Sequence, residues 1–121
     1  MSYRNNQSTH NGRTGKLGED FACEYLTNKG FNILERNVHL KIGEIDIVAT
    51  LKNKIHIIEV KTSTSSQVRA VENMNPQKIR KVALLASLYA RNQLYCIDFI
   101  GVSLNSDYSL KSIEHLENLE I

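Results

Sequence analysis

Three residues of this sequence have types and a spacing that suit chemistry, namely Asp46, Glu59 and Lys61. Asp46 lies in one run of β-type residues, and Glu59 and Lys61 lie two positions apart in the next run. A strand period of two places Glu59 and Lys61 on one face of a sheet. Two carboxylates and an amine on one face form a group that can hold a divalent cation and act on a phosphate.

A hairpin turn brings the two acids together. Residues 51–54 form a connection between the two runs that is short enough for an antiparallel hairpin. With the turn centred on Lys52 and Asn53, Asp46 faces Glu59 across the ladder. Residues directly opposite each other have Cβ atoms about 4.5 to 5.5 Å apart. Like charges at that distance are unfavourable unless a lysine or a divalent cation neutralises them.

This arrangement predicts a Mg²⁺ or Mn²⁺ site. Mg²⁺ prefers oxygen ligands and keeps several waters, so Asp46, Glu59 and the Val60 carbonyl would hold it and leave room for a phosphate. Lys61 would orient or help deprotonate the attacking water, and Glu19 would assist if its helix packs over the hairpin. The alternative is a solvated strand face with cross-strand ion pairs. The isoleucines around the acids imply burial instead, and buried carboxylates are rarely kept without a partner.

Two helices are predicted to position these strands. Apolar residues recur at helical spacing over residues 14–29, and Gly30 follows as a stop signal. Asn75 offers an N-cap and Pro76 suits the first position of a second helix, which runs to about residue 92. The apolar stripe of the second helix is predicted to face the core.

The remaining pattern predicts an α/β fold with a mixed central sheet flanked by helices. The predicted strands cover residues 31–39, 44–50, 55–62, 95–104 and 110–116. The element order is therefore αβββαβ with a final strand, and the strand–helix–strand unit is expected to close as a parallel crossover. Residues 1–13 are predicted to be a disordered polar arm before a single domain over residues 14–121, with a mobile loop at 62–74.

The charge of the chain is unevenly distributed. Residues 105–121 carry one Lys against four acids, which leaves fourteen Lys and Arg against nine Asp and Glu in residues 1–104. The body is thus basic and the tail acidic. A basic body suits a polyanionic partner such as DNA, although proteins that bind no nucleic acid carry similar charges.

The cysteines and histidines show no metal-ligand spacing. Cys23 and Cys96 are isolated, so they are expected to be reduced and packed as small hydrophobic residues. The four histidines are assigned to surface or strand-face positions. No stretch approaches the roughly 20 apolar residues that span a bilayer, and no apolar run resembles a signal peptide. These features predict a cytoplasmic protein with no membrane segment.

The motifs resemble the YraN-like family of largely uncharacterised bacterial proteins. The resemblance covers residues 13–104 and is carried by Gly15-x-x-Gly18-Glu19, Gly43-Glu44-Ile45-Asp46, Glu59-Val60-Lys61 and Lys78 ahead of an Ala-rich helix. That family is similar to archaeal Holliday-junction resolvases within the PD-(D/E)xK restriction-endonuclease-like group. The resemblance therefore implies a restriction-endonuclease-like αβββαβ core.

The resemblance also implies roles for individual residues. Asp46 and Glu59 would bind the metal and Lys61 would be the catalytic lysine. Glu19 would be the helix-one acid that accompanies them in resolvase-like members. The implied activity is a divalent-metal-dependent nuclease that hydrolyses phosphodiester bonds in DNA, with branched or damaged DNA as its substrate.

DNA contacts and assembly follow from the same resemblance. Lys78 would lie near the phosphate backbone, and Arg36 would contact phosphate or, equally well, form a salt bridge. A homodimer is implied because a symmetric junction needs two cuts. Two alternatives stay open: a non-catalytic nucleic-acid-binding module with a nuclease-like fold, and a protein-interaction domain of the same fold.

Overall fold

The computed structural model describes residues 2–64 and 75–119, and it describes side chains from residue 12 onward. In chain order the elements are α1 Ser2–Asn28, β1 Asn32–Leu40, β2 Gly43–Leu51, β3 Lys54–Ser63, α2 Pro76–Ala90, β4 Tyr95–Leu104 and β5 Leu110–Leu119. The predicted α/β class and the αβββαβ order with a final strand are therefore confirmed. The five strands form one mixed sheet in the order β1-β2-β3-β4-β5.

Helix α1 begins earlier than the sequence pattern predicts. It starts at Ser2 rather than at residue 14, so the backbone of the polar arm is helical. The division into an arm and a domain at residue 13 stays a prediction. The helix ends at Asn28, and Gly30 follows with a φ of 98°, a backbone conformation that L side chains rarely adopt. The N–H of Phe31 then donates to the Leu26 carbonyl at 3.0 Å, which closes the end of the helix.

The β2–β3 hairpin has the predicted register. Lys52 and Asn53 both have positive φ, 51° and 66°, as a two-residue hairpin turn of the type I′ class requires. Leu51 pairs with Lys54, and the ladder continues in that register to Ile47↔Ile58. The turn chemistry therefore sets which residues of the two strands meet.

Strand β3 exchanges one neighbour for another along its length. It pairs antiparallel with β2 only as far as Ile58, whereas its parallel pairing with β4 runs from Ile55 to Ser63. The parallel pairing confirms the predicted crossover through α2. Beyond Ile58 the end of β3 has β4 on one side and is free of the β2 ladder on the other. Residues 65–74 of the predicted loop over residues 62–74 lie outside the described residues.

A hydrophobic core lies on each face of the sheet. The core beneath α1 contains Ala22, Leu26, Ile47, Ile58, Ile100 and Val102, and the core beneath α2 contains Val48, Ile57, Val82, Leu85, Ile97 and Phe99. The predicted cap of α2 is present, since the Asn75 side chain accepts a hydrogen bond from the Lys78 N–H at 2.9 Å and Pro76 is the first helical residue. Within the described residues, neither helix is long and apolar enough to cross a membrane.

Candidate active site

The two predicted metal-binding acids lie where β2 and β3 separate. The last ladder pair is Ile47↔Ile58, so Asp46 and Glu59 are the first residues beyond it. The Val60 N–H, which the β2 backbone no longer reaches, donates to the Asp46 carboxylate at 2.8 Å. The Asp46 side chain therefore takes the place of a ladder carbonyl and is held at the point of separation.

Asp46 and Glu59 form a half-buried acid pair. Each carboxyl group shifts the pKa of the other through a side-chain hydrogen bond. Burial, followed by the charge of Asp46, raises the pKa of Glu59 to about 8. Burial also raises the pKa of Asp46, against the lowering effect of the Val60 N–H. Burial therefore opposes the ionisation of both acids.

Glu19 brings a third carboxylate to the pair from α1. Its side chain is 16% exposed, and burial together with the charge of Asp46 raises its pKa. Arg36 lies 3.7 Å from Glu19, and the Asn37 side chain forms a hydrogen bond with Glu19, so both lower that pKa in part. Asn37 has a positive φ of 52° and lies in β1 between the paired residues Arg36 and Val38. Glu19 is thus held near Asp46 by β1 as well as by its own helix.

Gly18 allows α1 to approach β3 closely enough to present Glu19. A Cβ added at Gly18 would lie 1.8 Å from the Thr62 hydroxyl oxygen and 2.8 Å from the Thr62 Cβ. By contrast, a Cβ at Gly15 would have no neighbour within 4 Å. Gly18 therefore permits the close approach of α1 to β3, whereas Gly15 lies in open space.

Two cavities flank the acid pair, and the acids line different ones. A cavity of about 300 Å³ on the α1 side is lined by Thr14, Gly15, Glu19, Asp46, Val60, Lys61 and Thr62. A cavity of about 210 Å³ on the α2 side is lined by Glu44, Glu59, Lys78, Lys81, Val82 and Leu85. The rule that opposite residues share a face applies to paired residues, and Asp46 and Glu59 lie beyond the last pair. The two carboxyl groups still meet, through their hydrogen bond.

The two lysines have different relations to the pair. The strand period predicted Lys61 on the face of Glu59. In the structure Lys61 is exposed and lines the Asp46 cavity, whereas Glu59 lines the other cavity. Within the part of the chain that the structure describes, the ion pair of Glu59 is with Lys78, whose Nζ lies 3.9 Å from the carboxylate. The sequence pattern did not indicate this contact, because it depends on how α2 crosses the end of β3.

The residues expected to contact DNA are both engaged with acids. Arg36 forms a salt bridge of 2.8 Å with Asp20 and lies near Glu19, which matches the alternative foreseen for it. Its Nε is the one buried side-chain nitrogen or oxygen among the described residues that has no hydrogen-bond partner. Lys78 is paired with Glu59. Phosphate contacts by Arg36 and Lys78 stay predictions.

A second group of polar residues was missed by the sequence pattern. His56, Cys96 and Asp98 are all buried and lie together on β3 and β4. Cys96 is a buried, free thiol, as expected, and its sulfur also lies 3.2 Å from His56 Nδ1. The period of two that relates Cys96 to Asp98 was the available signal, but it does not reveal which β3 residue they meet.

Comparison with known proteins identifies the relatives of this chain. The model of uncharacterised protein family UPF0102 matches residues 18–102. A UPF0102 protein of Caldanaerobacter subterraneus is 40% identical over 111 residues, covering 86% of this chain and 91% of the relative. One of Corynebacterium diphtheriae is 39% identical over 102 residues, covering 83% and 84%, and one of Helicobacter hepaticus is 42% identical over 88 residues, covering 69% and 78%.

These matches confirm the uncharacterised bacterial family that the motifs indicate. The similarity to resolvases stays a prediction. The matched segment begins at Gly18 and ends in β4, and it includes the three acids and the one lysine of the predicted catalytic group. The chain therefore belongs to uncharacterised protein family UPF0102.

Proposed function

We propose that this protein is a Mg²⁺- or Mn²⁺-dependent nuclease that hydrolyses phosphodiester bonds in DNA, with branched or damaged DNA as its substrate. The observation that carries the proposal is the half-buried Asp46–Glu59 pair, which lies where β2 and β3 separate. A purely structural acid pair in such a place is costly, because both carboxyl groups lose solvation. A role in ligand binding beside the two cavities would explain why the pair is kept despite this cost.

The donor chemistry of the pair suits a hard divalent cation. Two neighbouring acids whose ionisation is opposed by burial are stabilised by a positive charge, and a cation that prefers oxygen ligands would supply it. Asp46, Glu59 and the Val60 carbonyl would hold Mg²⁺ or Mn²⁺. When bound, such an ion acidifies a coordinated water and stabilises charge on a phosphate.

The protein's own side chains would orient the reacting groups. The raised pKa of Glu19 makes it a stronger base near neutral pH, and Glu19 lines the same cavity as Asp46 and Lys61. Glu19 would accept a proton from the attacking water. The exposed amine of Lys61 would bind a phosphate oxygen that enters this cavity. Lys78 would hold the Glu59 carboxylate in place from the other side of the sheet.

A groove beside the cavity supports a polymeric substrate. A space of about 560 Å³ lined by Gly12, Gly15, Lys16, Glu19, Arg36 and Asn37 adjoins the Asp46 cavity, and the two share Gly15 and Glu19. Together with the basic charge of residues 1–104, this continuous surface suits a chain of phosphates. A homodimer acting on a symmetric junction is part of the proposal.

The activity can be tested directly. Purified protein is incubated with linear, nicked and four-way DNAs in Mg²⁺, Mn²⁺, Ca²⁺ or chelator, and Mg²⁺ binding is measured by calorimetry. Asp46→Asn and Glu59→Gln should abolish both binding and cleavage, whereas Glu24→Gln, at an exposed acid of α1, should change neither. Absence of both metal binding and cleavage on every DNA would overturn the proposal.

A second candidate is a nucleic-acid-binding module without catalysis. The observation that favours it is the Lys78–Glu59 ion pair, which neutralises Glu59 without a metal. On this alternative DNA or RNA binding weakens with salt, does not respond to Mg²⁺ and survives Lys61→Ala. The same binding and cleavage assays, run with that variant, separate the two candidates.

A further inference from the structure

A buried polar cluster lies under α1, away from the acid pair. Strands β3 and β4 pair in parallel so that His56 lies beside Cys96, and Asp98 follows on the same face as Cys96. The exposed fractions of these three residues are 4%, 6% and 0%. His56 precedes Glu59 by three residues, which is about 10 Å along an extended strand. The cluster is therefore separate from the proposed nuclease site.

Nitrogen, sulfur and oxygen donors converge in this cluster. His56 Nδ1 lies 2.8 Å from Asp98 Oδ2 and 3.2 Å from Cys96 Sγ, and Cys96 Sγ lies 3.6 Å from Asp98 Oδ1. Donors bound tetrahedrally to one Zn²⁺ lie about 3.4 to 3.6 Å apart. The sulfur separations are already close to those values. The imidazole and carboxylate need to move apart by only about half an ångström.

Charge balance favours an ion at this position. The Asp98 carboxylate is fully buried and is contacted by His56, His115 and the Asn118 N–H. The donors of the cluster include one carboxylate and one thiol, and no lysine or arginine lies among them. A divalent ion with one thiolate and one carboxylate is neutral, and its binding releases the Cys96 thiol proton to water.

Neighbouring groups hold the carboxylate in the way that metal ligands are commonly held. His115 Nε2 lies 2.8 Å from Asp98 Oδ2, and the Asn118 N–H donates to Asp98 Oδ1 at 2.9 Å. His115 Nδ1 in turn lies 3.1 Å from the Tyr25 hydroxyl of α1. Such outer contacts orient ligating carboxylates and raise affinity. They also connect β5 and α1 to the cluster.

We propose that His56, Cys96 and Asp98 form a binding site for Zn²⁺, with His115 and Asn118 as positioning residues for the Asp98 carboxylate. A donor set that contains sulfur and imidazole selects Zn²⁺ over Mg²⁺, whereas the oxygen donors of the Asp46–Glu59 pair have the opposite preference. The ion ties β3, β4, β5 and α1 together. All three ligands are buried, so the ion would lie within the core.

Cobalt provides a spectroscopic test, since Co²⁺ bound by a thiolate absorbs strongly in the near ultraviolet. The full chain is unfolded in denaturant and refolded with or without Co²⁺, so that burial of the cluster does not prevent entry. We expect one Co²⁺ per chain with a thiolate band. Cys96→Ser and His56→Gln should lose that band. Cys23→Ser and His39→Gln, matched controls at a half-buried thiol and an exposed histidine, should keep it.

The outcomes separate this site from the nuclease site. Glu59→Gln should keep the cobalt band while losing Mg²⁺ binding, so failure of either proposal is seen independently of the other. Refolding with Zn²⁺ should also raise the melting temperature of the wild type and of Cys23→Ser, but not that of Cys96→Ser. A refolded wild type without a thiolate band, or a band that disappears in Cys23→Ser and persists in Cys96→Ser, would overturn the zinc site.

Discussion

The acid pair and the buried cluster both use β3, yet their physical states are opposite. Asp46 and Glu59 lie beyond the end of a ladder, border two cavities and have raised pKa values. Asp98 lies inside a continuous sheet and is 0% exposed, and its lowered pKa reflects full hydrogen bonding. Burial disfavours the charged forms of Asp46 and Glu59, so these groups can readily exchange a proton for a cation. A carboxylate whose charge is fully solvated by protein donors instead stabilises the fold.

The largest effect should come from removing the hydrogen-bonded carboxylate. Asp98→Ala leaves His56, His115 and the Asn118 N–H without their acceptor in the core. We expect the free energy of unfolding to fall by about 3 to 5 kcal/mol. Urea denaturation measured without added metal tests this. Glu24→Ala, at an exposed position of α1, should change the value by less than about 0.5 kcal/mol. Equal effects of the two substitutions would remove the contrast between the regions.

The acid pair should make the folded state less stable as the pH rises from 4 to 8. Glu59 has a folded pKa of about 8, whereas the unfolded pKa is about 4.3. The folded protein binds the extra proton between these values, so stability is fully present below about pH 4 and is lost as pH rises towards 8. Glu59→Gln resembles the protonated state, and we expect it to be more stable than wild type at pH 8 by about 3 kcal/mol. Urea unfolding across this pH range measures the difference.

Adding Mg²⁺ to the same urea-unfolding experiment gives a second test of the acid pair. An ion bound by the two acids should stabilise the wild type at pH 8 and flatten its pH dependence, because it binds only the folded state. Glu59→Gln should not respond to Mg²⁺. A wild type whose stability is constant from pH 4 to 8 would show that the pKa of Glu59 is not raised.

Local turn chemistry explains why the hairpin could be predicted. Lys52 and Asn53 form a two-residue turn, and such a turn sets every following pair of the ladder. The prediction that Asp46 and Glu59 meet was therefore available from the sequence. Their assignment to one face was not, because the ladder stops at Ile47↔Ile58 and nothing local marks that end.

Long-range packing explains what the sequence pattern could not indicate. The parallel register of β3 and β4 depends on the crossover through α2, which leaves the pairing of His56 with Cys96 open. The crossing of α2 over β3 also decides that Lys78 contacts Glu59. Neither contact has a signature in the spacing of residues along the chain.

A smaller effect is expected where α1 meets β3. Gly18→Ala places a methyl group 1.8 Å from the Thr62 hydroxyl oxygen, so the helix or the strand must shift. We expect a loss of about 1 to 3 kcal/mol of stability and weaker Mg²⁺ binding, since Glu19 is the next residue. Gly15→Ala is the matched control in open space and should stabilise the helix by about 0.5 to 1 kcal/mol. Thermal unfolding of both variants should therefore show melting temperatures that change in opposite directions.

The smallest effect separates the two lysines. Lys78→Met removes a cation that lowers the pKa of Glu59, so that pKa should rise above about 8 at a cost of about 0.5 to 1 kcal/mol. Lys61→Met should leave the titration of Glu59 unchanged and abolish cleavage, because Lys61 lines the cavity of Asp46 instead. NMR titration of the Glu59 carboxyl carbon measures the first effect and the DNA assay measures the second. If Lys61→Met moved the Glu59 titration, the two cavities would not be electrostatically distinct, and the lysine assigned to phosphate would belong to the acid pair.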